Sequence, residues 1–280
     1  MIYEVFIETI TDCMKMLPFL FVAFLLIEYV EHYSSAFTEK LLSRERYAGP
    51  AIGAVLGCFP QCGFSAVASS LYASGVVSLG TLLAVFLATS DEAILVMLGN
   101  PGHGKEVLSL LLAKIVIAVA SGYVIDAVYL KKEHKHKDIH NMCHDCGCEH
   151  SHNIWRPALT HTVKLFVYIF LISFILELVL EMVGTETMSH IFLKNSMGQI
   201  FLTAIIGLIP NCGASVMLTE LYLSGITSFA ATVAGLSTGA GVGLLVLFRF
   251  NKPMKENFMI VGLLYGLAVA AGIILTVIQL

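Results

Sequence analysis

Charged residues are scarce in this sequence. Asp, Glu, Lys and Arg make up 13% of the 280 residues, whereas an ordinary soluble domain contains about a quarter. Hydrophobic residues make up 57%, so too little polar surface remains to cover a globule of this size in water. The apolar residues also form blocks of the length that crosses a bilayer, about 17 to 25 residues. Composition therefore argues against a soluble enzyme and predicts an all-α polytopic membrane protein. The clearest blocks are 16–30, 107–130, 165–183 and 257–280.

Two short motifs are also missing. No basic stretch precedes the first apolar block, where Glu4, Glu8 and Asp12 stand instead, so a cleaved signal peptide is not expected. The chain has no G-x-x-x-x-G-K-[ST] loop for nucleotide phosphates. We therefore expect that it does not use ATP, has no catalytic residues and binds no nucleic acid. Any transport would draw on an ion gradient.

What the sequence does contain is an internal repeat with an offset of 150 residues. The run GCFPQCG at 57–63 matches GLIPNCG at 207–213, and the register continues without a gap as far as Glu106 and Glu256. A chance match would not hold one register over so many positions. The predicted regions are a first transmembrane repeat at 1–130, a linker at 131–160 and a second transmembrane repeat at 161–280.

Basic residues change sides between the two halves. In the first half they cluster in the loop after the first apolar block, and in the second half they cluster in a later loop. Since basic loops remain on the cytoplasmic side, this swap predicts repeats of inverted topology. The Lys-rich linker would then be cytoplasmic and both termini outside, in a multi-pass protein of the inner cell membrane. The clusters are Lys40, Arg44 and Arg46, and Arg249, Lys252 and Lys255.

Each half contains an apolar stretch that is too long for one straight helix. In the first half it covers 49–99 and, with inverted repeats, must cross the membrane once in net terms. We predict a re-entrant helical hairpin with its tip at 60–63, followed by a spanning helix that is broken near 89–92. The second half repeats this pattern with a tip at 210–213 and a break at 237–241. The count is then about ten helical segments.

The tips and breaks form the predicted substrate site. Proline and glycine interrupt helices, and the freed backbone groups can bind an ion, as half-helix ends do in many secondary transporters. A pair of packing kinks is the alternative. Asp91 and Glu92 are carboxylates inside an apolar stretch, which is typical of ion pathways, unless they lie at the membrane interface. The second half has Gly241 and Val242 at these positions.

The residues beside the tips and breaks offer two kinds of ligand. Thiolates suit As(III), Zn(II) and similar soft ions, although lone cysteines are also common in helical cores. Amide and hydroxyl oxygens suit a harder cation such as Mn(II). The thiols are those of Cys58, Cys62 and Cys212, and the oxygens belong to Gln61, Thr89, Ser90, Asn211 and Thr238.

The linker is rich in histidine and cysteine. Its C-x-x-C-x-C run with six nearby imidazoles is a metal-binding composition, and cytoplasmic thiols stay reduced. We predict that it binds a Zn(II)-class ion as a flexible sensor or ion-collecting loop, while the protein requires no cofactor. A solvated basic linker with incidental histidines is the alternative. The residues are His134, His136, His140, Cys143, His144, Cys146, Cys148, His150 and His152.

Three motifs resemble those of the ten-helix heavy-metal exporter family: PQCGFS at 60–65, LATSDEA at 87–93 and PNCG at 210–213. Members of that family are labelled arsenic efflux proteins or manganese transporters. The resemblance extends over nearly the whole chain, and it implies an inner-membrane exporter with a duplicated core of ten segments.

Three functions are compatible with these features. The first is a secondary active exporter of a heavy metal or metalloid, either a Mn/Zn-class divalent cation or arsenite, that works by alternating access at a midplane site between the two tips. The second is an ion-coupled transporter of an organic or inorganic anion. The third is a membrane metal sensor that uses the linker. Each would lie in a lipid bilayer, bind a small ion or molecule, and be compatible with a homodimer.

Deletion of residues 134–152 separates the sensor from the transporters. We expect metal flux in proteoliposomes to persist at least in part, because the predicted substrate site lies at the tips and breaks rather than in the linker. The matched control replaces 134–152 by a Gly/Ser spacer of the same length. If the unmodified chain moves no metal and both altered chains lose its response to metal, the sensor is favoured.

Overall fold

The computed structural model describes residues 48–59, 63–90, 93–99, 104–129 and 197–279, together with single residues between 3 and 25 and between 159 and 178. Every regular element in this part of the chain is an α-helix. Three described segments are long and apolar enough to cross a membrane, namely Gly104–Tyr129, Phe229–Phe250 and Met254–Ile278. These features confirm an all-helical, polytopic membrane protein. The nine linker ligands and Gln61, Cys62, Asp91 and Glu92 lie outside the described residues.

Ten helices between 48 and 279 have described bounds, and we number them in chain order. The register of the sequence repeat carries over to them, because α3 and α5 recur 150 residues later as α8 and α10. The first five are α1 Gly49–Gly57, α2 Gly63–Ala73, α3 Leu79–Ala88, α4 Ala93–Gly99 and α5 Gly104–Tyr129. The second five are α6 Gly198–Gly207, α7 Cys212–Leu223, α8 Phe229–Thr238, α9 Val242–Phe250 and α10 Met254–Gln279.

Equivalent residues turn the chain in both halves. Gly75 and Gly225 follow α2 and α7 with φ angles of 77° and 71°, a backbone conformation that glycine adopts without steric cost. The next helices then begin at serine caps. The Ser78 hydroxyl accepts from the Thr81 amide at 3.1 Å, and the Ser228 hydroxyl accepts from the Ala231 amide at 3.2 Å. Such caps satisfy amides that a helix start leaves free.

Helices α3 and α8 form the centre of the protein. Every residue of α3 except Thr81 is buried, as is every residue of α8 after its first. A helix that is apolar on all sides is typical of an interior position. The start of α3 is held by Asp126 of α5, whose carboxylate accepts from the Gly80 amide at 2.8 Å and the Ser78 hydroxyl at 2.7 Å. A negative charge is favourable at that end of a helix.

Helices of the two halves pack against each other. Helix α2 packs against α9, and α7 packs against α4. The Ser69 hydroxyl of α2 donates to the Gly243 carbonyl of α9 at 2.7 Å, and the Tyr72 hydroxyl donates to the Glu256 carboxylate of α10 at 2.5 Å. The two halves are therefore joined through helices of both.

Glycine allows the first helix of each set to approach the central helix closely. A Cβ atom on Gly207 of α6 would lie 1.9 Å from the Gly235 carbonyl oxygen and 2.3 Å from the Thr238 hydroxyl. A Cβ atom on Gly57 of α1 would lie 2.5 Å from the Val85 carbonyl oxygen. Backbone atoms cannot move aside easily, so α6 and α1 reach α8 and α3 only because these positions lack a side chain.

Gly207→Ala tests this close approach. We expect a lower midpoint of thermal unfolding in detergent, because overpacking a core costs about 1–3 kcal/mol. Gly262→Ala on α10 is the matched control, since a Cβ atom there meets nothing within 4 Å and alanine favours a helix over glycine by about 1 kcal/mol. Equal midpoints for the two variants would contradict the packing of α6 on α8.

Candidate functional site

The central helix of the first half is interrupted after Ala88. Thr89 leaves the helix with a ψ angle of 124°, and helix α4 begins at Ala93. Thr89 and Ser90 are each 1% exposed. Their hydroxyls donate to the carbonyls of Val85 at 2.7 Å and Ala88 at 3.0 Å. Because each hydrogen is used on the backbone, the oxygen lone pairs remain available as acceptors or ligands.

The central helix of the second half is interrupted at the equivalent place. Helix α8 ends at Thr238 and α9 begins at Val242, inside the interval that the sequence predicted. Gly241 has a φ angle of 52° and a ψ angle of −138°, which a residue with a side chain rarely adopts. The Thr238 hydroxyl donates to the carbonyls of Ala204 and Gly235, both at 2.8 Å. It therefore joins α8 to α6 as well as lining the break.

A single lysine joins the two breaks. Lys114 of α5 is fully buried, with 0% exposure. Its Nζ atom donates to the carbonyl of Thr89 in the first break and to the carbonyl of Leu236, at 2.8 Å, in the last turn of α8. Since one nitrogen contacts both oxygens, the C-terminal ends of α3 and α8 meet at this point. These ends carry partial negative charge, which stabilises an ammonium group.

Lys114 is the site residue that the sequence analysis missed. One lysine hardly changes the hydropathy of an apolar block as long as 107–130. The signal was nevertheless present, because Lys114 stands ten residues after the start of a 26-residue apolar helix and charged residues inside such helices are commonly functional. The equivalent residue of α10 is Leu264, also with 0% exposure, so the lysine belongs to one half only.

The end of α1 contributes a thiol near the lysine. Cys58 caps the end of α1, and its free thiol is partly buried within electrostatic range of the Lys114 ammonium. Helix α2 contacts the other half, since a Cβ atom on Gly243 of α9 would lie 2.8 Å from the Ser65 Cβ atom. The first turn of α2 is therefore close to the start of α9, where the second break ends.

Two buried polar atoms, one in the second tip and one near the end of α8, have no hydrogen-bond partner among the described residues. Asn211 caps α7 by accepting from the Gly213 amide at 3.1 Å. Among the described residues, no group hydrogen bonds to the buried Asn211 Nδ2 atom or to the buried Ser237 Oγ atom. An unmade hydrogen bond of a buried polar group is costly, so such atoms often mark a place where a ligand or water binds. The first turn of α7 lies beside the break, because a Cβ atom on Gly239 would lie 3.4 Å from the Ser215 hydroxyl.

Some of the predicted ligands are among the described residues, and others are not. Thr89, Ser90 and Thr238 lie at the breaks, and Cys58 and Asn211 lie at the tips. Cys212 is the first residue of α7, and the position of its thiol is not described. Within the described ranges, no group of three or more His, Cys, Asp and Glu residues could hold a metal ion. The three-thiol site therefore remains a prediction.

Two interrupted helices that meet at a buried polar point, inside an all-helical apolar protein, define a membrane protein of the transporter class. Residues 2–195 match the family described as "Putative, 10TM heavy-metal exporter", and the chain belongs to this family. The resemblance noted in the sequence is thereby confirmed. The match includes the first tip, the first break and Lys114, whereas the second tip and break lie beyond it. No curated protein and no solved structure matches the chain.

Proposed function

We propose that this chain is a secondary active exporter of a heavy-metal or metalloid ion, which binds between the two helix breaks. The observation that carries this proposal is the contact of one buried nitrogen with a carbonyl oxygen of each broken helix. That contact puts polar backbone of both halves at one point inside an apolar protein. Membership of the heavy-metal exporter family supports the class of cargo. The protein would catalyse no reaction and require no resident cofactor.

The oxygens at the breaks favour a divalent cation of the Mn/Zn class. Backbone carbonyls and hydroxyls are ligands for hard cations, and Thr89, Ser90 and Thr238 supply both. Asp91 and Glu92 follow Ser90 directly in the sequence and would provide the negative charge that such a cation requires. Thiolates of Cys58, Cys62 and Cys212 would instead select a softer cargo, such as arsenite.

The lengths of the hairpin arms support the proposed topology. Helices α1 and α2 have nine and eleven residues, whereas a spanning helix needs about 20. A re-entrant hairpin in each half would accommodate these lengths. The reciprocal packing of α2 on α9 and of α7 on α4 supports inverted repeats, and alternating access would arise when one half rocks against the other. The basic linker would then be cytoplasmic, in the inner membrane.

Lys114 itself favours a second candidate, the transport of an anion. A buried ammonium group is a natural partner for a carboxylate or an oxyanion, and helix N-termini add partial positive charge. The helices that begin at the tips and breaks are α2, α4, α7 and α9. In this alternative the lysine would bind the cargo directly, so its removal would abolish transport.

A flux measurement distinguishes the two candidates. Proteoliposomes containing the protein are tested with Mn(II), Zn(II), Fe(II), Cd(II), arsenite and organic anions, with and without a pH gradient. We expect metal flux in the unmodified protein and at least a tenfold loss in the Asp91→Asn/Glu92→Gln variant, because the site would lose its negative charge. Glu220→Gln is the control, since Glu220 is an exposed carboxylate of α7. Movement of an anion but of no metal would overturn the proposal.

Replacement of Cys58, Cys62 and Cys212 by serine separates hard from soft cargo. If oxygens bind the cargo, Mn(II) flux should stay within about twofold of the unmodified protein, since a thiolate is a poor ligand for this ion. Arsenite flux, which needs thiolates, should be lost. Cys13→Ser is the control, because Cys13 is one of the N-terminal helical residues and does not belong to the predicted three-thiol site. Arsenite flux that survives the triple substitution would exclude the three-thiol site.

A further inference from the structure

Lys114 occupies a position that is costly for a charge. Lysine is almost never fully buried unless it is paired, and an ammonium group loses its hydration when it leaves water. Here two of its three N–H donors are used by carbonyls at helix C-termini. The lysine stem reaches this point from α5, which contributes no other residue to the breaks described above.

The two carbonyl oxygens are also suitable ligands for a metal ion. Hard divalent cations take oxygen ligands at about 2.0–2.6 Å, and a lysine nitrogen already lies 2.8 Å from the Leu236 oxygen. A small ion at the same place would therefore contact the same two oxygens after a small adjustment. The ammonium group and the ion cannot occupy the place together, because their charges repel and their volumes overlap.

We propose that the Lys114 ammonium group is an internal cation, which fills the cargo position between α3 and α8 when no metal is bound. A divalent cation of the Mn(II) class would bind by displacing it from the carbonyls of Thr89 and Leu236. This inference rests on the proposed function, and it names the class of cargo and the group that competes with it. Lys114 then determines how tightly the site holds its cargo and how readily it releases it.

The internal cation would stabilise both interrupted helices. A helix that ends in an apolar interior leaves carbonyl oxygens unsatisfied, and the ammonium group satisfies one oxygen just after α3 and one in the last turn of α8. Because the same nitrogen contacts both helices, displacement by cargo removes a direct link between α3 and α8 and replaces it with a link through the metal. The link between the two halves therefore depends on whether cargo occupies the site.

The test is equilibrium binding of Mn(II) to the purified full-length protein in detergent, measured by calorimetry. Lys114→Met keeps the length of the side chain but removes the charge, and we expect it to bind Mn(II) at least tenfold more tightly. Lys114→Gln keeps a polar donor without the charge and should also bind more tightly. Lys114→Arg keeps the charge and should bind like the unmodified protein. Leu264→Met, at the equivalent position of α10, is the control and should leave Mn(II) affinity unchanged.

Thermal unfolding gives a second readout that does not require transport. Without metal, Lys114→Met should have a lower unfolding midpoint than the unmodified protein, since two carbonyls lose their donor. A saturating concentration of Mn(II) should raise that midpoint more than it raises the midpoint of the unmodified protein, because the ion takes over both carbonyls.

The outcomes separate this inference from the proposed function. If the unmodified protein binds Mn(II), and Lys114→Met and Lys114→Gln bind it equally or more weakly, the internal cation is excluded while the exporter stands. If the unmodified protein neither binds nor moves any metal of the panel, the exporter and the inference fall together. Binding of an oxyanion that is lost in Lys114→Met would then make Lys114 an anion ligand.

Discussion

An interrupted helix in an apolar environment leaves backbone groups that need a partner, because hydrocarbon offers none. The rest of this structure depends on how that need is met. Lys114 donates to a carbonyl of each interrupted helix, and the hydroxyls of Thr89, Ser90 and Thr238 donate to nearby carbonyls. The breaks can therefore persist at the centre of the protein, where a polar cargo would otherwise find no ligand.

The same region is held by contacts that cross between the halves. The Ser69 hydroxyl bonds to Gly243, and the Tyr72 hydroxyl bonds to Glu256, so α2 is attached to the second half. Gly57 and Gly207 bring α1 and α6 against α3 and α8 at distances that no side chain would permit. Because interiors packed in this way switch between discrete arrangements rather than deform gradually, a change at the breaks would move whole helices.

The sequence predicted the elements that depend on local chemistry. The polar run at 89–92 and the run with two glycines at 237–241 located the helix breaks, and the offset of 150 residues gave the correspondence between α3 and α8 and between α5 and α10. The sequence could not predict that Lys114 contacts both interrupted helices, because that contact depends on how α5 packs against two other helices. The second bond of Thr238, to the Ala204 carbonyl of α6, is likewise a tertiary contact. Hydroxyl and amide ligands can be chosen from sequence, whereas their hydrogen-bond partners cannot.

The difference between Lys114 and Leu264 has a consequence for stoichiometry. A duplicated chain whose halves both carried a lysine would offer two equivalent centres, and each could take an ion in the same cycle. Here the equivalent position of α10 is a buried leucine, and the pair Asp91 and Glu92 corresponds to Gly241 and Val242. The lysine and the acidic pair thus both belong to the first half of the sequence, so the proposed exporter would carry one cargo ion per cycle in each chain.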